Sequence, residues 1–160
     1  MEELSREIHN LYCRNNPGMP WAVPWEQLPE NIRESNCSQA RAFVGYLAGV
    51  SCACSAENPG FPEVDALTAD EIDAIARQVH AVWTAGKVRD GWVYGAVRND
   101  AQKAHPLLHI AWDALPGAEK DKDRAIAHNI LPLLRGAGLR AYRKPAQAGL
   151  PTVSHFAKKA

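Results

Sequence analysis

Trp25-Glu26-Gln27-Leu28-Pro29 recurs as Trp112-Asp113-Ala114-Leu115-Pro116, 87 residues further along. A repeated segment constrains a fold strongly, because a unit that cannot bury its apolar face alone can bury it against its own copy. Across the 25 aligned positions from Trp25 to Gly49 and from Trp112 to Gly136, six residues are identical. Average composition alone gives roughly one or two. A second match lies upstream of each segment. Ile8-His9-Asn10-Leu11-Tyr12 resembles Val79-His80-Ala81-Val82-Trp83 at an offset of 71. Each half therefore reads as helix, connector, W-x-x-L-P, helix, and the connector is 16 residues longer in the second half. Two such helix pairs are expected to face each other about a pseudo-twofold axis.

Local signals give the helices. Thr68 and Glu71 form a capping box ahead of Ile72, Ile75, Ala76, Val79, Val82 and Trp83, a spacing that predicts an amphipathic helix over 69–86, ended by Gly86. Residues 4–14 predict a shorter helix with Leu4, Ile8, Leu11 and Tyr12 on one side. Pro29 and Pro116 open helices that run to Gly49 and Gly136. Pro132 should kink or tighten the latter. Residues 51–67, with Asn58-Pro59-Gly60-Phe61-Pro62, read as a linker, and residues 144–160 as a basic tail. The expected class is mainly α, with a few short strands in the connectors. The domain organisation is a single domain over 1–160, with a shortened first repeat at 4–50 and a full second repeat at 68–143.

Charge and composition exclude several classes. Eighteen basic and eighteen acidic residues leave no net charge, so no DNA or RNA partner is expected. The apolar content of 46% suffices for a globular core. No apolar run approaches the roughly 18 residues of a membrane span, so no membrane partner is expected. The acidic start Met1-Glu2-Glu3 lacks the features of a signal peptide, which predicts a cytoplasmic protein. Residues 1–66 carry four arginines against nine acids, and residues 67–160 carry 14 bases against nine acids. That asymmetry suits two solvated faces, or two complementary halves with an anion site on the basic one. Cys13, Cys37, Cys52 and Cys54 form no C-x-x-C pair. They read as mostly buried thiols rather than zinc ligands, and no metal or cofactor is expected.

Between the helices of the second half lies Asp90-Gly91-Trp92-Val93-Tyr94-Gly95-Ala96-Val97-Arg98-Asn99-Asp100, then Lys103 and His105-Pro106-Leu107-Leu108. The order H-x-x-W, G-W-x-Y-G, R-x-D, K-x-H-P-x-L, L-P, D-R over residues 72–143 resembles the ryanodine receptor repeat, the RyR domain. Residues 4–50 resemble a shortened second copy without the G-W-x-Y-G element, with Arg14 to Trp21 as its connector. The resemblance implies a mostly helical fold of two facing repeats. It also implies a cleft between them that takes adenine nucleotides, and a small stand-alone member of the kind found in bacteria and their viruses.

The residues themselves allow the following chemistry. His80 and Trp83 share a helix face, as do His9 and Tyr12. If the halves face each other, Tyr12 and Trp83 can sandwich a flat ligand, where each base stack contributes about 1–3 kcal/mol. The bland reading makes both rings core residues. Arg98 could grip a phosphate at two points, a nucleotide contact by the resemblance, or could simply pair with Asp100. Arg33, Lys87, Lys103 and Lys120 could add positive charge around the cleft, or merely be solvated. Asn36 and Asp123 hold equivalent positions and could bond a ribose or base edge. Trp25, Trp92, Tyr94 and Trp112 read as packing residues, and His105 as a turn residue that bonds the backbone.

No H-E-x-x-H, Walker loop or G-x-S-x-G occurs, and no catalytic residue is assigned. A phosphodiesterase using His9 and His80 across the cleft is one alternative. A protein-interaction module with an empty cleft is another, and a homodimer could complete a missing wall. The favoured expectation is a binder. It would hold, and could sequester, a nucleotide-derived signal such as ADP-ribose or a cyclic nucleotide, acting as a sensor or as a phage anti-defence sponge.

Overall fold

A computed structural model of the chain describes residues 1–146. Most of the expected basic tail lies outside the described residues. The fold is mainly helical. Helices α1 (Glu2–Asn15) and α2 (Glu30–Gly49) are followed by strand β1 (Cys52–Ser55), helix α3 (Ala69–Arg89), strands β2 (Val93–Tyr94) and β3 (Ala104–His105), helix α4 (Gly117–Gly136) and strand β4 (Arg140–Arg143). No helix of the described residues is long and apolar enough to cross a membrane.

The capping box forms as expected. The Glu71 N–H donates to Thr68 Oγ1 at 3.2 Å, and the Thr68 N–H to Glu71 Oε2 at 2.9 Å. The helix does not stop at Gly86. It runs on to Arg89, and the left-handed residue that breaks the chain direction is Gly91, at φ 85°. Each W-x-x-L-P motif makes a 3₁₀ turn, Trp25–Gln27 and Trp112–Ala114, whose leucine, Leu28 or Leu115, is buried. The proline then precedes the first helical residue, where its fixed φ suits helix entry. Helix α4 continues through Pro132 to Gly136.

Helix α1 packs on α2 and α3 on α4. The two pairs also cross, α1 on α4 and α2 on α3. Leu4, Ile8, Phe43, Leu47, Ile75, Val79, Ile130 and Leu134 fill the seam as one cluster, and fully burying such a side chain is worth about 1.5–3 kcal/mol. Two glycines let the crossing come close. A Cβ on Gly49 would lie 2.6 Å from Gln78 Nε2, and one on Gly136 would lie 2.7 Å from Glu7 Oε2.

Residues 51–67, expected as a linker, hold the strand β1. After its second helix each half enters a strand, and the two strands pair antiparallel, from Cys52↔Arg143 to Ser55↔Arg140. Neither strand could satisfy its backbone groups alone, and each supplies the other's partners. The rest of the expected linker is stitched down by Val64 N–H to Ala141 O at 2.9 Å and Arg143 N–H to Pro62 O at 2.8 Å. The long connector of the second half carries the parallel pair β2–β3, with Val93↔Ala104 and Tyr94↔His105.

Candidate ligand cavities

The first helix of each half presents the same ladder of contacts. His9 stacks on Tyr12 with centroids 6.2 Å apart at 21°, and His80 on Trp83 at 5.8 Å and 24°. His9 lies 6.0 Å from Trp25, and His80 lies 6.2 Å from Trp112. Arg6 sits over Trp25 at 5.3 Å and bonds Glu26 at 2.6 Å. Arg77 sits over Trp112 at 5.7 Å and bonds Asp113 at 2.9 Å. Residues three apart on a helix share a face, so each histidine and its aromatic neighbour point toward one side of their helix.

In the first half that side opens on a cavity of about 410 Å³. Tyr12 and Asn15 line it from α1, Asn16 and Trp21 from the connector, Ser35, Asn36 and Gln39 from α2, and Ile126, Asn129 and Leu133 from α4. Not one of its lining residues is Asp, Glu, Lys or Arg. His9 Nε2 lies 2.7 Å from the Val23 carbonyl. A carbonyl only accepts, so Nε2 carries a proton and donates it. Asn36 donates to Ile32 O and Asn16 to Tyr12 O, both at 2.9 Å, which leaves each side-chain oxygen as an acceptor. The amides of Gln39 and Asn129 have no hydrogen-bond partner among the described residues.

In the second half the corresponding space is a separate cavity of about 230 Å³, lined by His80, Trp83, His105, Leu107, Glu119, Lys122 and Asp123. His80 Nδ1 stands 3.6 Å from Asp123 Oδ2, too far for a hydrogen bond. Burial raises the Asp123 carboxyl above its ordinary range, with the facing His80 acting the other way. Burial also raises the Tyr46 phenol, and Asp123 adds to that shift. His105 Nδ1 accepts from the Leu107 N–H at 3.2 Å, as expected of a backbone-bonding turn residue, and burial lowers its pKa.

The expected single cleft is thus two cavities. His9, Tyr12 and Asn36 meet in the first, with a wall from α4. His80, Trp83 and Asp123 meet in the second. Tyr12 and Trp83 do not sandwich one ligand, because each faces the second helix of its own half while aliphatic side chains fill the seam. For the same reason the two imidazoles of the phosphodiesterase alternative line different cavities. None of the cations expected at the rim lines either cavity; the cation that does is Lys122, in the second. Arg98 is exposed and held by Asp100 at 2.7 and 3.1 Å. Lys87 caps the Trp92 ring at 4.1 Å, and Lys103 Nζ donates to Asp90 O at 2.8 Å. Lys120 Nζ donates to Asp113 O at 3.2 Å, and Arg33 is exposed on α2. Tyr94, expected to pack, is 55% exposed, because its two-residue strand lies on the outside of the connector.

Sequence reasoning missed Trp21, Gln39 and Asn129 in the first cavity and Glu119 and Lys122 in the second. Gln39 was signalled weakly, three residues beyond Asn36 on one helix face. Asn129 had no local signal, since it comes from the other half. Residues 64–143, half of the chain, match the family model of the RyR domain. That stretch contains every ordered motif from His80 to Arg124, and its histidine–aromatic ladder has a counterpart on α1 and the Trp25–Gln27 turn; the chain belongs to the RyR domain family.

Proposed function

We propose that the protein binds a nucleotide or nucleotide-derived signalling molecule, such as ADP-ribose or a cyclic nucleotide, by taking its base into the first cavity. The observation that carries this reading is the cavity's chemistry. It is large enough for a small ligand, against the roughly 300–1,000 Å³ usual for such sites. It offers the Tyr12 and Trp21 rings, and amides on Asn36, Gln39 and Asn129. Amides both donate and accept, which suits the mixed edge of a nucleobase. With no charged residue in the lining, this reading leaves the phosphates on the solvent side. The halves read as two copies of one unit, with the first copy specialised for the base. Sequestration or sensing in the cytoplasm, in a bacterium or an infected bacterium, is the use that this reading gives such a binder.

A protein-interaction role is the second reading. It is favoured by the exposed Val93, Tyr94 and Val97 on the connector and by Val82 and Val88 on α3. Thermal unfolding against ATP, ADP, ADP-ribose, cyclic ADP-ribose isomers, NAD and cyclic di- and trinucleotides separates the two. A ligand at 100 times its Kd adds about 2.7 kcal/mol to the folded state. A shift with one class, lost in Gln39→Ala and with the ligand recovered intact, supports the base-binding reading. No shift with any of them refutes it in favour of the interaction surface.

A further inference from the structure

We propose that the second cavity is a separate binding site for a planar group presenting two adjacent N–H donors, a guanine base edge or a small alkylguanidinium. The proposal starts from Asp123. Its side chain is 17% exposed, and it has no hydrogen bond among the described residues. A carboxylate only accepts, and its two oxygens match two parallel N–H donors. Glu119, on the same wall, is already engaged by Lys122 at 2.7 Å, so Asp123, which faces only His80 Nδ1 at 3.6 Å, is the carboxylate without a hydrogen bond. Trp83 gives the cavity an aromatic wall, which suits either a base or a guanidinium.

A second observation points the same way. His80 Nε2 and Thr84 Oγ1 are buried without hydrogen-bond partners among the described residues. In the first half the matching nitrogen, His9 Nε2, is bonded to Val23 O. Buried polar atoms are normally paired, and of these two residues His80 is the one that lines the cavity. The first half also places Asn36 where the second places Asp123, and the Asn36 amide is tied to Ile32 O. The two cavities therefore differ in kind. One offers neutral amides, and the other an acceptor-only carboxylate. At about 230 Å³ the second cavity falls below the usual size for a whole small molecule, roughly 300 Å³ upward, so it admits one planar group and leaves the remainder outside. Among the described residues no three His, Cys, Asp or Glu side chains are placed to hold a metal ion.

The test is calorimetric titration of the full chain with guanosine, adenosine and ethylguanidine, followed by ¹⁵N NMR of the tryptophan indoles. The Trp83 resonance is assigned through Trp83→Phe. Guanosine or ethylguanidine is expected to bind and to shift the Trp83 indole signal, while adenosine leaves that signal unmoved. Binding of guanosine alone identifies the base edge, of ethylguanidine alone the guanidinium, and of both the shared donor pair. Asp123→Asn keeps the shape and is expected to weaken binding about 10- to 100-fold, with Gln39→Ala without effect. The proposal is overturned if neither donor binds, if Asp123→Asn binds as tightly as the wild type, or if the Trp83 signal stays still. Loss of binding in Gln39→Ala also overturns it, because the ligand would then sit in the first cavity. Should Asp123→Asn not fold, the wild-type Trp83 shift decides alone. The outcome is independent of the base-binding reading, which concerns the other cavity.

Discussion

Leu134→Ala probes the seam between the two helix pairs most directly. Leu134 has no exposed surface, and it belongs to the cluster that joins α4 to α1, α2 and α3. Truncating a fully buried leucine removes its transfer free energy and leaves a void, for a loss of about 3–4 kcal/mol. Against a total stability of about 5–15 kcal/mol the variant still folds, with little reserve. With a urea m-value of about 2 kcal/mol/M, the unfolding midpoint falls by about 1.5–2 M at unchanged m. Leu47, at the matching position of α2, is equally buried. Leu47→Ala should match Leu134→Ala to within about 1 kcal/mol, and the double variant should sit near the edge of folding. A midpoint moved by less than about 0.5 M in Leu134→Ala, at unchanged m, would refute the shared core. A loss confined to one of the two leucines would refute their equivalence.

Three further outcomes follow from the same geometry. Trp21 is 43% exposed at the cavity mouth, so Trp21→Ala should leave the melting temperature within about 2 °C. It should weaken the first-cavity ligand by the loss of one stacking contact, about 1–3 kcal/mol, read by titration. Glu71 accepts from the Thr68 N–H and pairs with Arg143 at 2.5 Å, and Arg143 holds its carboxyl below the ordinary 4.5. Its folded pKa is depressed, so its contribution is present above 4.5 and lost as pH falls through the lower folded value. Glu71→Gln should therefore cost about 1–2 kcal/mol at neutral pH, and urea midpoints for wild type and variant should converge in acid. Arg98 is exposed and held by Asp100. Arg98→Ala should leave both first-cavity affinity and the urea midpoint unchanged, and a large loss of affinity would restore the phosphate-gripping role expected from its position in the motif.

The repeated W-x-x-L-P and the histidine–aromatic pairs determined the helical units by themselves. Those signals are local. A proline ahead of a helix, a capping box and an i, i+3 pair each act within one turn, so Thr68, Pro29, Pro116 and the two histidines could be placed without a partner in view. The ends of the elements were less legible. Gly86 is a helix breaker by propensity, yet α3 passes it and turns at Gly91. The strands of residues 52–55 and 140–143 were hidden because neither exists without the other, and their partners lie more than half the chain apart. The site was divided in the same way. Sequence named His9, Tyr12 and Asn36, and His80, Trp83 and Asp123, as two equivalent sets, but assigned both to one cleft. Only tertiary packing decided that the seam is filled with leucine, isoleucine, valine and phenylalanine. That packing turns each set toward its own helix pair, brings Asn129 from α4 into the first cavity, and leaves the second with a carboxylate that makes no hydrogen bond within the described chain.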